Sequence, residues 1–183
     1  MSLRVWRSGR KKGQCFDKLS MDGVWSGSES PMKLWRLTRA PFVALDGKGA
    51  ELHGARYAPP GYPVVSLASE AGLAVLVALR YQPADLQGIP DDFVLGWTDV
   101  AAEPDRVPDP DEATIRAFVG EWLDSRRSLL VAIRSRVLPE ADVIYLNPAH
   151  PDAARVPALT TRPFSFAECL HRPPMLDSFR SSE

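Results

Sequence analysis

Residues 53–81, HGARYAPPGYPVVSLASEAGLAVLVALRY, carry the change of backbone period on which the fold depends. Pro59-Pro60-Gly61 and Pro63 form a strong turn, because proline fixes φ and glycine tolerates the left-handed region. Val64-Val65-Ser66-Leu67 follows as a short buried strand. Ser69 is placed to cap a helix, its hydroxyl meeting a free backbone N–H of the first turn, and Glu70 suits the positive end of the helix dipole. That helix is expected to run to about Tyr81 and is apolar almost all round, which predicts burial on every side. Turn, strand and helix in under thirty residues imply a mixed architecture.

Outward from this stretch the same alternation continues. Leu34-Trp35-Arg36-Leu37 is a strand candidate upstream, separated by a loop punctuated by Pro41, Gly47 and Gly49. Downstream, Phe93–Trp97, Ser128–Ile133 and Val143–Leu146 read as strands. The acidic, proline-bearing 103–111 reads as a surface loop, and Asp109-Pro110-Asp111-Glu112 as a helix start with a capping Asp109 and Pro110 first in the helix. Ile115, Phe118, Val119, Trp122 and Leu123 then fall on one helical face and predict core. Pro163-Phe164-Ser165-Phe166 and a polar tail close the chain. Residues 1–31, with Gly23, Gly27, Pro31 and the basic cluster Arg4, Arg7, Arg10, Lys11 and Lys12, are expected to be a loosely held extension, leaving 32–183 as one compact domain. The fold class is α/β (α+β), short mixed strands with packed helices; neither a P-loop nor a Rossmann glycine motif occurs.

Composition narrows the function. The chain has 183 residues, 45% hydrophobic and 25% charged, with a formal net charge of −1, so bulk charge gives no reason to expect nucleic acid or an anionic membrane as the main partner. Two cysteines, Cys15 and Cys169, suit a reducing cytoplasm better than a disulfide framework. His53, His150 and His171 lack metal-ligand spacing, so no metal is expected. No apolar run reaches the ~18–20 residues a membrane helix needs.

The polar residues worth weighing lie at strand ends and turns. Arg36 follows Trp35, Arg56 precedes the Pro-Pro-Gly turn, Ser66 lies on a strand and Ser135 ends one. Two guanidinium groups brought together can clamp a diphosphate bidentately, although each arginine alone fits a surface ion pair equally well.

Several segments together resemble the RES domain, the toxin half of a class of bacterial toxin–antitoxin pairs. Leu34-Trp35-Arg36-Leu37 opens the likeness, and Gly49 with His53-Gly54-Ala55-Arg56-Tyr57 is similar to the family's glycine-glycine-arginine-tryptophan turn. Gly61–Val65, Ala68-Ser69-Glu70, Trp122-Leu123, Ser135 with Leu138-Pro139-Glu140, and Asn147-Pro148-Ala149-His150-Pro151 continue it in order, the last being the most specific. The resemblance implies an ADP-ribosyltransferase-like fold and cleavage of NAD at the nicotinamide–ribose bond by hydrolysis, phosphorolysis or ADP-ribosyl transfer. It implies Arg36 and Arg56 as the arginines that hold NAD, and Ser135 as the serine of the family's Arg-Glu-Ser trio. Tyr57, Ser66 and Tyr81 complete the expected contacts to NAD. As partner it implies a cognate antitoxin of the Xre, MbcA or ParS kind, in a hetero-oligomer.

Three positions depart from that pattern. Ser66 stands where the family has a tyrosine, Val77 where its helix carries glutamate, and Tyr81 where histidine is common. Residues 77 and 81 share a helical face, so the changes gather on one surface. Three readings therefore stand: a toxin that acts on NAD with a degenerate site, a catalytically inactive relative that binds a nucleotide or a protein partner, or an unrelated α/β domain that mimics these strings.

Overall fold

The computed structural model describes residues 31–83, 88–108 and 111–170. The extension expected over 1–31 therefore lies outside the described residues except for Pro31, as do Cys15, His171 and Asp109-Pro110. Seven strands form one sheet: β1 (Met32–Arg39), β2 (Val65–Ala68), β3 (Phe93–Val100), β4 (Asp105–Arg106), β5 (Leu130–Arg134), β6 (Asp142–Leu146) and β7 (Thr160–Pro163), in the order β4-β5-β6-β2-β1-β3-β7. Every neighbouring pair is antiparallel except β4 with β5. The helices are α1 (Lys48–His53), α2 (Ala71–Leu79), α3 (Glu112–Ser125) and α4 (Phe166–Leu170). No helix among the described residues is long and apolar enough to cross a membrane.

The strands form because β-branched and aromatic residues alternate between two packed faces. Val131, Ile133 and Tyr145 face α3, where Ile115, Val119, Trp122 and Leu123 fill the space against them. This is the stripe the helical spacing predicts. Leu130, Ala132, Ile144 and Leu146 turn to the other face and pack with Leu34, Val65 and Leu67. A third group joins Leu73 and Ala74 of α2 to Leu37, Ala68, Phe93 and Leu95.

Four local expectations are revised. The cap of α3 is Asp111, whose side chain accepts from the Thr114 backbone N–H at 2.9 Å; the helix starts two residues later than Asp109 would place it. Ser69 does not cap α2. Its Oγ accepts from the Asp142 backbone N–H at 3.0 Å, tying the end of β2 to β6, and the N-cap position falls to Glu70 with no side-chain cap bond. The helix ends at Leu79; Leu73 and Ala74 are fully buried, Val75, Val77, Ala78 and Leu79 pack partly buried against the same core, and Leu76 is exposed, so the apolar surface is not covered on every side. The loop expected over 103–111 contains β4, which lies along β5 in parallel.

The feature that opens a cavity is a break in the sheet. β1 pairs with β3 along its whole length, but with β2 at one position only, Trp35 opposite Ala68. Beyond that bridge Arg36, Leu37 and Thr38 part from Ser66 and Leu67, and a wedge opens between two central strands.

Candidate functional site

The wedge opens into a cleft of about 510 Å³, within the size range of small-molecule sites. Its walls include each residue singled out from sequence: Arg36, Arg56, Tyr57, Ser66, Tyr81 and Ser135. Val77 lies there too, on the wall formed by α2.

Arg36 enters from β1. Alternation sends Trp35 and Leu37 toward α2 and Arg36 the opposite way, and the unpaired edge lets it reach the opening. One guanidinium Nη donates to the Ala44 carbonyl at 3.2 Å. Burial lowers its pKa below the usual arginine value, with Asp46 acting the other way. An arginine nevertheless stays cationic at neutral pH, so the cleft holds a partly desolvated positive charge.

Arg56 is placed by a tight turn. Ala55 and Ala58 exchange both backbone hydrogen bonds, at 2.8 and 3.2 Å, which makes Arg56 and Tyr57 the two central residues. Gly54 enters the turn at φ 77°, where an added Cβ would meet the Ala58 carbonyl oxygen at 3.1 Å. The guanidinium of Arg56 lies over the Tyr57 ring, 5.3 Å from its centroid.

Ser66 lies opposite Tyr145 on the β2–β6 ladder, so the two side chains share a face. Tyr145 is 2% exposed, and its ring is 6.3 Å from that of Tyr57. Burial raises its pKa above the ordinary tyrosine value, against a backbone hydrogen bond from Tyr57 and the charge of Arg56. Its phenol is a neutral group tying β6 to the arginine turn. Sequence reasoning passed over it, although the period-2 alternation of Val143 and Tyr145 was available; the pairing with Ser66 was not.

Ser135 is 5% exposed and serves as an acceptor: the backbone N–H groups of Val137 and Leu138 both donate to its Oγ at 3.2 Å. It shapes the loop between β5 and β6 that carries Arg136 and Val137 into the wall. The Asn147-Pro148-Ala149-His150-Pro151 string lies elsewhere. Asn147 Oδ1 accepts from the Ala149 N–H at 2.9 Å and His150 Nδ1 from the Asp152 N–H at 3.1 Å, so the string shapes a turn and a 3-10 segment rather than the cleft.

Charge is distributed unevenly around the wall. Arg36, Arg56, Arg80, Arg134 and Arg136 all line it, and among the described residues no aspartate or glutamate does. Glu70 sits at the N-cap of α2 and is not in the wall. Acids stand behind the arginines: Asp46 acts on Arg36, Glu112 bonds Arg116 at 2.9 Å with Arg136 at 3.7 Å, and Asp142 lies opposite Arg134 while bonding Arg106 at 2.9 Å. No group of three or more His, Cys, Asp and Glu side chains converges among the described residues.

Comparison with known proteins agrees with this architecture. The RES domain family model matches residues 33–167. A Prs ADP-ribosylating toxin of a Sphingobium species is 30% identical over 133 residues, covering 64% of this chain and 81% of the toxin. A protein named Toxin Res from Photorhabdus laumondii is 31% identical over 134 residues, covering 66% and 85%. The toxin–antitoxin complex MbcT-MbcA of M. tuberculosis supplies a chain that superimposes with a TM-score of 0.60 at 16% identity, over 84% of this chain and 91% of that one. A family match across most of the chain leads to one assignment: this protein belongs to the RES domain family.

Proposed function

We propose that this chain is a RES-type toxin whose cleft takes NAD and acts slowly on its nicotinamide–ribose bond, and that a cognate antitoxin holds it in check. The observation that carries the reading is the meeting of Arg36 and Arg56, twenty residues apart in sequence, on the walls of one cleft. Arg36 is partly stripped of water and Arg56 is steadied by its neighbour's ring, so both suit a diphosphate better than bulk solvent would. Ser66, Tyr57 and Tyr81 supply the remaining polar and aromatic contacts. The relatives' names, an ADP-ribosylating toxin among them, and the toxin–antitoxin complex that shares the fold support both the substrate class and the antitoxin.

In the reaction the bond between the ribose anomeric carbon and the ring nitrogen breaks. Its electron pair passes to the nicotinamide, which leaves neutral. Water, phosphate or a protein side chain takes the anomeric carbon and gives up a proton where it had one to lose. Positive charge grows on the ribose before that bond closes, and a nearby carboxylate is the natural stabiliser. Val77 offers none. One missing electrostatic contact of about 3 kcal/mol slows chemistry on the order of 100-fold. That absence favours a second reading, an inactive relative that binds a nucleotide or protein.

Loss of NAD separates the two. Purified protein at high concentration is expected to consume NAD slowly but above a buffer blank, and Val77→Glu to speed it by tenfold or more. No consumption by either protein, both folded, ends the enzyme reading. Binding of NAD that weakens at least tenfold in Arg56→Ala while the fold persists would place Arg56 in the site.

A further inference from the structure

We infer that the cleft selects against the positively charged nicotinamide ring, so that it holds ADP-ribose, the diphosphate-sugar anion, more tightly than NAD. This rests on the cleft being a dinucleotide site. The observation is the charge count of the wall: five guanidinium groups and no carboxylate among the described residues. Behind it stand Asp46, Glu112 and Asp142: Glu112 acts on Arg56 and Arg136 but bonds Arg116 outside the cleft, and Asp142 lies opposite Arg134 on the β5–β6 ladder but bonds Arg106, so cations still outnumber acids. The diphosphate of NAD finds partners in such a wall. Its pyridinium ring finds only like charge.

Aromatic rings are the one alternative host for that cation, since a ring face attracts positive charge. Most of those available are already engaged. Tyr57 carries Arg56 over its face, Trp35 lies against Trp97 with centroids 5.6 Å apart, and Tyr145 lies against Tyr57. Tyr81, 67% exposed, remains, and a single exposed contact of this kind changes affinity only a few-fold. A unit charge about 8 Å from one guanidinium, at an effective dielectric of about 20, changes affinity by roughly thirtyfold unscreened and by about tenfold once the acids behind the wall and low salt screen it. Repulsion wins. A consequence follows for the reaction: the ADP-ribosyl product stays bound and competes with fresh NAD.

NADH tests the inference, because it matches NAD in size and lacks only the ring charge. Calorimetry on the full chain at low salt should show NADH and ADP-ribose binding about tenfold more tightly than NAD, the ratio falling below about twofold at 0.5 M salt. Val77→Glu, which puts an acid into the wall, should bring the ratio toward one. Arg80→Ala, an exposed change at the end of α2 with little bearing on folding, should narrow it by a few-fold. NAD binding as tightly as NADH, or a ratio unmoved by salt and by Arg80→Ala, would overturn the inference and leave the dinucleotide site standing. No binding of any of the three would overturn both.

Discussion

The two helices that pack on the sheet, α2 and α3, differ in almost every respect. α3 is held at both ends: Asp111 accepts from the Thr114 backbone and hydroxyl at 2.9 Å, and Arg126 closes the helix in the left-handed conformation. Its apolar stripe is buried, and Trp122 donates its indole N–H to the Ser128 carbonyl and hydroxyl at 3.0 and 2.9 Å. α2 has no side-chain cap, ends after nine residues, and buries only Leu73 and Ala74. The strands follow suit, β5 pairing with β6 throughout while β1 touches β2 at a single bridge. Tight packing leaves no room for a ligand. The chain spends its burial on the α3 side and keeps an opening where α2 leans over the split sheet.

If that contrast is physical, stability and binding should separate by region. The largest effect expected is on the α3 side: Trp122→Ala removes a fully buried indole and two hydrogen bonds, and should cost about 3–5 kcal/mol in urea unfolding. Val77→Ala in α2 should cost under about 1.5 kcal/mol, because the side chain is only partly buried and one side of it faces the cleft. Equal losses would mean that α2 is core after all, and the contrast would fail.

The same contrast explains what could be read in the sequence. The α3 stripe was legible because period, aromatic bulk and an acidic start all agree on one answer. Five of the seven strands were legible to within a few residues, since their apolar runs are short and bounded by turn residues; β4 and β7 were not, because Asp105–Arg106 and Thr160–Pro163 are short and polar. α2 misled, because an all-apolar run predicts burial whether its outer face meets core or an open cleft. The site was legible only in part. Arg36, Arg56 and Ser135 stood out at strand ends and turns and took their roles from the resemblance to RES domains, and the cleft holds all three. Arg80, Arg134, Arg136 and Tyr145 were missed, because the wedge that gathers them comes from strand pairing between distant segments, which no local pattern encodes. Conversely, Asn147-Pro148-Ala149-His150-Pro151, the most recognisable string, builds a turn. Recognisability measures constraint, and backbone geometry constrains a sequence as firmly as chemistry does.

A smaller effect sharpens the comparison on the cleft side. Arg36 is a charge held where burial disfavours it, and its lowered pKa means the folded state carries a cost. The charged form prevails in both states at every pH below the folded value, so this cost is present across the neutral range and is relieved only in strong alkali. Arg36→Met should therefore leave stability unchanged or raise it by up to about 1 kcal/mol. Binding of ADP-ribose should fall at least tenfold in the same protein. A variant that unfolds, or binds as before, would show Arg36 to be a structural strut and not a ligand group.

The smallest effect is in acid, and it belongs to α3. Hydrogen bonds from the Thr114 backbone and hydroxyl hold the Asp111 carboxyl below the usual carboxylate range, and Arg116 does the same for Glu112. A depressed folded pKa gives stability that is full above the unfolded value, about pH 4, and is lost as pH falls through the folded value. Asp92, held by Arg39 at the outer end of β3, behaves alike and lies away from the cleft. Asp111→Asn keeps an acceptor for the helix cap but cannot titrate. Its melting temperature should track that of the parent above about pH 5 at a small constant offset and converge on it toward pH 3, since the parent alone loses a charged cap there. The cleft wall, with no carboxylate among the described residues, should add nothing to this slope: Arg36→Met and the parent should run parallel over the same range. Parallel curves for Asp111→Asn as well would mean that the capping carboxylate is not bound as the geometry places it.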